Sequence, residues 1–359
     1  MTMSKARSLP SLFLVGSCLS LALLNLATFF GYGTTTNLLD CISSNIAQSD
    51  MNDEELVSIL AGSDSKSSRD QERMVHMVVA ADDNFAKKYQ RSFEKMEQYA
   101  QRHGYTWTIL NQDRFEGGIL PRACANHKDF FFLKHCMVAS WMEAQAFDPA
   151  SSIFVFDADT IPFRPELPLD KWTLPFKEDV LLYLRGWNVK ENGVEYKHEV
   201  MAGNYMVKNT VEGRGFLRAW AEYEFQTPPG FSSADNGALH IHLLRQVGIE
   251  SIEWNQPKPC GDLYKNLRKP VTDWGEYWEY VTCTRDKLLP DNRYNKGPFS
   301  FRIMDKKTFA VTDKNVDSLE ANDDSGPIFH HGVKFNDKGR LDPIELETKY
   351  NLSAFVEEK

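Results

Sequence analysis

Apolar residues run almost unbroken from Leu9 to Tyr32, without a charge among them. From Gly33 to Arg73, Ser, Asp, Asn and Thr dominate and periodicity is lost, which predicts a flexible stem with at most a short helix around Glu54 to Leu60. Order begins with the apolar run Met74 to Ala81, a strand that ends at Asp82-Asp83-Asn84. Phe85, Tyr89, Phe93, Met96 and Ala100 then mark one face of a helix from Phe85 to His103, closed by Gly104. Tyr105 to Leu110 reads as a second strand and Phe130 to Phe147 as a strongly apolar helix stopped by Asp148-Pro149. Ile153 to Phe156 is a short apolar run that leads into Asp157-Ala158-Asp159 and Pro162, the mark of a buried central strand. Strand, helix, strand, helix, strand predicts a parallel sheet with crossover helices.

Further on, strands are predicted at Val180 to Leu184 and Val200 to Val207, followed by a helix from Val211 to Phe225. A second helix, Ala234 to Val247, has Ser232 or Ser233 as its N-cap. The Cys260 to Cys283 segment reads as aromatic and loop-rich. Short strands are expected at Phe301 to Met304 and Thr308 to Val311, ahead of Ile328-Phe329-His330-His331-Gly332-Val333-Lys334. There is no internal repeat.

Apolar residues make up 42% of the 359 and aromatics 12%, enough for a substantial core in one large domain or two modest ones. A net charge of −9 with no basic block argues against a nucleic-acid partner. Lys5 and Arg7 precede the first apolar run, whose length suits a membrane span of about 20 residues. Basic residues before it and none close after place the N-terminus in the cytosol and the body in the lumen or outside. The expected organisation is a cytosolic tail (1–8), a transmembrane signal-anchor (9–32), a stem (33–72) and a lumenal domain (73–359). A cleaved signal peptide is the competing reading, but its apolar core is shorter and ends in a small-residue cleavage site. Here the run ends in Phe29, Phe30 and Tyr32.

Cys18 lies in the span, leaving Cys41, Cys124, Cys136, Cys260 and Cys283 beyond it. Cys124 with Cys136, and Cys260 with Cys283, could be disulfides in an oxidising compartment, while Cys41 links two chains or stays free. Asn351-Leu352-Ser353 is a glycosylation sequon.

Asp157 and Asp159 are two apart along a strand end, so their carboxylates point to the same side. There they can hold a hard divalent cation such as Mg²⁺ or Mn²⁺, in the crevice where α/β sheets bind ligands. The plainer alternative is a strand-end turn capped by two aspartates. Phe154 to Thr160 also fits the pattern of haloacid-dehalogenase-type phosphatases, with Asp157 as nucleophile. That family keeps the motif on its first strand, and Gly261-Asp262 here lacks the aspartate that should follow.

Four segments carry a wider resemblance: the first strand with Asp82-Asp83, Phe132-Leu133-Lys134, FVFDADT, and the block from Met201 to His240, with FHHGVK as a closing element. Together they resemble the nucleotide-sugar glycosyltransferases of the GT-A fold. The similarity is greatest to glycosyltransferase family 34 (galactosyl-, mannosyl- and xylosyltransferases) and a related, nematode-expanded domain of unknown function. The resemblance implies a GT-A-like (Rossmann-like) α/β domain, a mixed, mostly parallel sheet with flanking helices, preceded by one N-terminal transmembrane helix. It implies a metal-dependent, retaining transfer of a hexose or pentose from a nucleotide diphosphate sugar to a glycan acceptor. The setting would be a single-pass type II protein of the Golgi or endoplasmic reticulum membrane. A GT-A-like glycan-binding or scaffolding protein without turnover is the alternative.

On that resemblance Asp157 and Asp159 hold Mn²⁺ (or Mg²⁺) with a histidine from the closing element, His330 ahead of His331. Lys334 faces the diphosphate. Gly203-Asn204 allows close approach of the sugar, and Asp235-Asn236 contacts the donor sugar near its anomeric carbon. Asp82 or Asp83 meets the base or ribose, and Lys134 reaches the phosphates or snorkels to water. Each has an ordinary structural reading beside it: a β-bulge at Gly203, a helix cap at Asp235, a solvated lysine at Lys334. The aromatic stretch from Trp254 to Tyr280 suits either sugar stacking or a loop core, and no residue in it is assigned.

Overall fold

The computed structural model describes residues 75–113, 121–145, 148–149, 151–173, 176–186, 188–228, 234–249, 259–267, 274–288, 293–305, 308–313 and 326–333. The expected anchor and stem, Cys18 and Cys41, Lys334 and the sequon all lie outside these residues. Among the described residues no helix is long and apolar enough to cross a membrane.

The first half follows the expected alternation. Strand β1 (Val75–Ala81) leads into α1 (Asp83–Lys88) and α2 (Gln90–His103), then β2 (Thr106–Asn111), α3 (Phe130–Ala144) and β3 (Ser152–Phe156). The helix expected over Phe85 to His103 is thus two helices. Asp82 caps α1 through Phe85 N–H (2.6 Å), and Tyr89, at φ −108° and ψ 20°, leaves helical geometry before α2. The chain continues through β4 (Thr160–Pro162), α4 (Asp170–Thr173), β5 (Val180–Tyr183), β6 (Asn188–Glu191), β7 (Val194–Lys197) and β8 (Tyr205–Lys208). Then come α5 (Val211–Ala221) with a 3₁₀ turn (Glu222–Gln226), α6 (Ala234–Gln246), α7 (Pro259–Asn266), α8 (Trp274–Lys287), β9 (Arg293–Lys296), β10 (Phe299–Met304), β11 (Val311–Asp313) and β12 (Phe329–His331).

Seven strands form the main sheet in the order β2-β1-β3-β8-β5-β10-β9. β2, β1 and β3 are parallel neighbours, as are β5 and β10, while β8 runs antiparallel to both β3 and β5. The result is a mixed α/β fold with a mostly parallel central sheet. Burial on both faces explains why its strands read as continuous apolar runs. On β3, Ile153 and Val155 pack with α3 in one core, and Phe154 and Phe156 pack with Met96, Tyr99 and Phe329 in the other. Asp157 and Asp159 share the parity of Ile153 and Val155.

Three stretches differ from expectation. The strand predicted over Val200 to Val207 is broken and resumes as β8 only at Tyr205: Val200 bridges Leu184 and Met201 N–H still donates to Tyr183 O (2.9 Å), but Ala202 N–H donates to the Asn236 side chain instead (2.7 Å). The Cys260 to Cys283 segment holds two helices rather than loop. Tyr277, Tyr280 and Val281 of α8 and Tyr264 of α7 are buried, a helical stripe written in aromatic residues. Asn192-Gly193, both at positive φ (51° and 80°), turn an unexpected hairpin between β6 and β7. Disulfides join Cys124 to Cys136 and Cys260 to Cys283.

Candidate metal and donor site

The site begins where β3 stops. Asp157 N–H and the Thr160 hydroxyl both donate to Asn204 Oδ1 (3.2 and 3.0 Å), and Thr160 N–H donates to Asp157 O (3.1 Å), closing the turn that carries both aspartates. The chain then re-enters as β4, which pairs antiparallel with β12 and sets His331 opposite Thr160. Val333 N–H donates to Asp159 O (3.0 Å), tying the closing element to the same turn.

That register decides between the two histidines. Successive residues of a strand face opposite sides, so only one of them can reach the carboxylates. It is His331: its Nε2 lies 3.3 Å from Asp157 Oδ2 and 3.3 Å from Asp159 Oδ1. His330, the one favoured from sequence, is buried with its ring against Phe163 (6.5 Å between centroids). Asp157, Asp159 and His331 each offer one ligand atom, all within 4.8 Å of one another. Two carboxylate oxygens and an imidazole nitrogen form a donor set that suits a hard-to-borderline dication such as Mn²⁺. Gly203 completes the cradle, since a Cβ there would stand 2.1 Å from Asp157 Oδ2 and 3.3 Å from His331 Nε2.

Lys134 does not snorkel. It projects from the buried side of α3, with Nζ 3.2 Å from Asp157 Oδ1 and 2.9 Å from Asp235 Oδ2. Burial opposes its charge, but the two carboxylates outweigh burial and hold the ammonium protonated well above its usual range. Burial would likewise raise the Asp157 carboxyl. Lys134 and His331 together reverse this and hold it well below the usual carboxylate range. Asp235, in the first turn of α6, is raised by burial despite Lys134. Its Oδ1 accepts from Asn236 N–H (2.9 Å), and Asn236 Oδ1 in turn holds Ala202 N–H, next to Gly203.

The remaining expected residues fall elsewhere. Asp82 caps α1, and Asp83 accepts from the Asn111 side chain (2.8 Å). Both follow β1, whose C-terminal end lies beside that of β3, yet neither joins the Asp157–Asp159–His331 cluster. Asn204 is fully buried and works behind the aspartates through Asp157 and Thr160. Three contributors were not singled out from sequence: Thr160, His135 and Tyr205. His135 stacks on Trp220 (3.6 Å between centroids, 18°) and its Nδ1 meets Tyr205 OH (2.9 Å), packing the wall behind Lys134 and Asp235. The threonine that ends the DxDT run was the one available signal.

These residues define a mixed α/β protein with an acidic–histidine cluster at the C-terminal end of a central strand. The family described as "Protein of unknown function, DUF273" matches residues 96–346, and the chain belongs to it. No curated protein matches the sequence. Among solved structures, the chain is similar to a glycosyltransferase involved in glycosylation of the major capsid of PBCV-1, at 10% identity and a TM-score of 0.37, over 72% of this chain and 93% of that one. It is also similar to the galactosyltransferase LgtC in complex with donor and acceptor sugar analogues, at 13% identity and a TM-score of 0.31, over 60% and 98% of the two chains. A third is a Drosophila β-1,4-galactosyltransferase 7 mutant in complex with manganese, UDP-Gal and xylobiose, at 13% identity and a TM-score of 0.28, over 52% and 66%.

Proposed function

We propose that this chain is a metal-dependent glycosyltransferase of the GT-A type, transferring a sugar from a nucleotide diphosphate sugar to a glycan hydroxyl. The observation that carries this reading is the convergence of Asp157, Asp159 and His331 at the C-terminal end of β3, from two strands far apart in sequence. When bound there, Mn²⁺ or Mg²⁺ supplies positive charge against the departing diphosphate. The chain's own residues do the rest. Lys134 keeps Asp157 ionised and turned towards the cluster, and joins it to Asp235. Gly203 leaves open the space beside Asp157 that a side chain would fill. Asp235 and Asn236 stand next in line, positioned to meet the donor sugar near its anomeric carbon, as a retaining enzyme of the family 34 kind requires. Residues 9–32 would anchor the domain in the Golgi or endoplasmic reticulum membrane, with 33–72 as a stem.

Thermal unfolding of the purified full-length chain tests this, with UDP-, GDP- and CMP-sugars in the presence and absence of Mn²⁺. A ligand that binds the native state raises the melting temperature by mass action. The expected rise needs both Mn²⁺ and one class of nucleotide sugar, and vanishes in Asp159→Ala. A folded sample that no donor stabilises would refute the reading and leave a glycan-binding or scaffolding protein.

A further inference from the structure

The aromatic residues of α8 have no part in the metal cluster, yet they wall a cavity of about 360 Å³. Trp274 and Trp278 form one side with their rings stacked (6.0 Å between centroids, 27°). Arg185 and Glu199 form another, and the β6–β7 hairpin covers part of the mouth with Val189, Lys190 and Glu191. His198 lies against Trp278 (5.3 Å between centroids), and the remaining lining residue is Asn236. It takes the Ala202 N–H on its amide oxygen and donates its own N–H to Asp235, which holds Lys134 and through it Asp157. A chain of bonds therefore links the cavity to the metal cluster.

We propose that this cavity binds one neutral pyranose ring, the acceptor of the transfer; the word acceptor rests on the glycosyltransferase reading, the binding of a sugar does not. Three observations carry the proposal. The volume is at the lower end of small-molecule sites, ~300–1,000 Å³, which suits a single ring better than an extended ligand. The two tryptophans offer flat, electron-rich faces to the axial C–H bonds of a pyranose, and Trp274 keeps 41% of its surface open. Beside them the polar groups are fixed in advance. Arg185 Nη1 bonds Glu199 Oε1 (2.8 Å), and Tyr277 OH donates to Glu199 Oε2 (2.6 Å), so a planar donor and a carboxylate acceptor stand side by side for adjacent hydroxyls. Arg185 and Lys190 balance Glu191 and Glu199 in the lining, and His198, whose Nδ1 accepts Glu199 N–H (2.9 Å) and so carries no proton there, adds no charge. A phosphate or other anion would find no excess of positive charge there.

The test uses saturation-transfer NMR on the full-length chain in EDTA without nucleotide, which separates it from the metal and donor reading. The probes are the methyl glycosides of galactose, mannose, glucose and xylose, with glucose 6-phosphate as the anionic comparison. At least one methyl glycoside should bind, and Trp274→Ala should weaken it about tenfold, the scale of one aromatic contact. Trp278→Phe, which keeps a flat ring, should weaken it less than Trp278→Ala. Trp274 is exposed enough that its variant decides the matter even if Trp278→Ala fails to fold. Glycoside binding indifferent to Trp274→Ala, tighter binding of glucose 6-phosphate, or no binding to folded wild type each overturns the proposal. A glycoside signal from a protein that no Mn²⁺–nucleotide sugar stabilises upholds the cavity and overturns the donor reading instead.

Discussion

Lys134→Met is the perturbation that interrogates the site most directly. The ammonium lies between two carboxylates, and the side chains of Lys134 and Asp235 are only 7% and 9% exposed. Methionine keeps the length and packing of the stem but removes the charge, leaving Asp157 and Asp235 without the cation between them. Removing one partner of a buried ion pair costs roughly 3–5 kcal/mol. The side chain of Asp157 is 31% exposed, so water screens part of the loss and the lower end, about 3 kcal/mol, applies. For a domain of this size each kcal/mol moves the melting temperature by about 2–4 °C, so a fall of about 6–12 °C is expected in EDTA. Mn²⁺ should then stabilise the variant more than it stabilises the wild type, because a dication meets one competing positive charge fewer. Calorimetric melts of both proteins, each with EDTA and with Mn²⁺, read both effects. A variant as stable as the wild type in EDTA, or one that gains no more from Mn²⁺, would refute the charge balance argued here.

Two further outcomes follow from single contacts. Gly203→Ala puts a methyl group 2.1 Å from Asp157 Oδ2; the carboxylate end must swing away, so Mn²⁺ affinity by titration calorimetry should fall at least about tenfold, or ~1.4 kcal/mol, while unchanged affinity would show that the glycine is not part of the cradle. His240 accepts Val200 N–H on Nε2 and donates from Nδ1 to Thr284, whose own proton goes to Val281 O, so the folded state needs the neutral ring, and burial lowers its pKa from 6.5 to about 3. A depressed histidine pKa gives stability that is whole above the unfolded value and lost as pH falls towards the folded one. Urea melts between pH 7 and 5 should show a loss of about 1.4 kcal/mol per pH unit below 6.5 from this residue, and His240→Gln should flatten the slope by that amount; an equal slope in the variant would remove His240 as its source.

Much of the fold was legible because its strands are buried on both faces and its first two crossovers come in sequence order. β1 and β3 could be read as apolar runs, and the apolar helix between Phe130 and Asp148 as the crossover leading to the aspartates. What escaped reading has physical reasons. In α8 the stripe is made of Trp and Tyr, whose polar atoms and ring shapes also suit loops, so a helical period passed for a pinned coil. The Asn192-Gly193 signal was present and stands between two short, half-exposed strands with little apolar alternation. The break in the predicted Val200 strand cannot be read locally, since it depends on an asparagine side chain from α6 taking a backbone N–H.

The same division runs through the site. Asp157 and Asp159 are local to one strand end and could be picked out with their common direction. The histidine could not, because the choice between His330 and His331 is set by how β12 pairs with β4, and a shift of one residue would exchange them. From sequence Lys134 reads equally as phosphate-facing or solvated, because a buried amine finds its role only when α3, β3 and α6 meet. Once they meet, the charges make a consistent whole. Asp157, Asp159 and Asp235 give three carboxylates, Lys134 one ammonium, and His331 a donor that is neutral when it ligates. The excess is two negative charges, the charge of one divalent cation, and it sits where the ligand atoms converge. The charge of Lys134 opposes a dication, but the lysine does not take the ligand atom: it bonds Oδ1 of Asp157 while His331 and the Gly203 cradle face Oδ2. The two oxygens of one carboxylate thus face different partners, and Asp157 couples the metal position to Asp235 without giving up either.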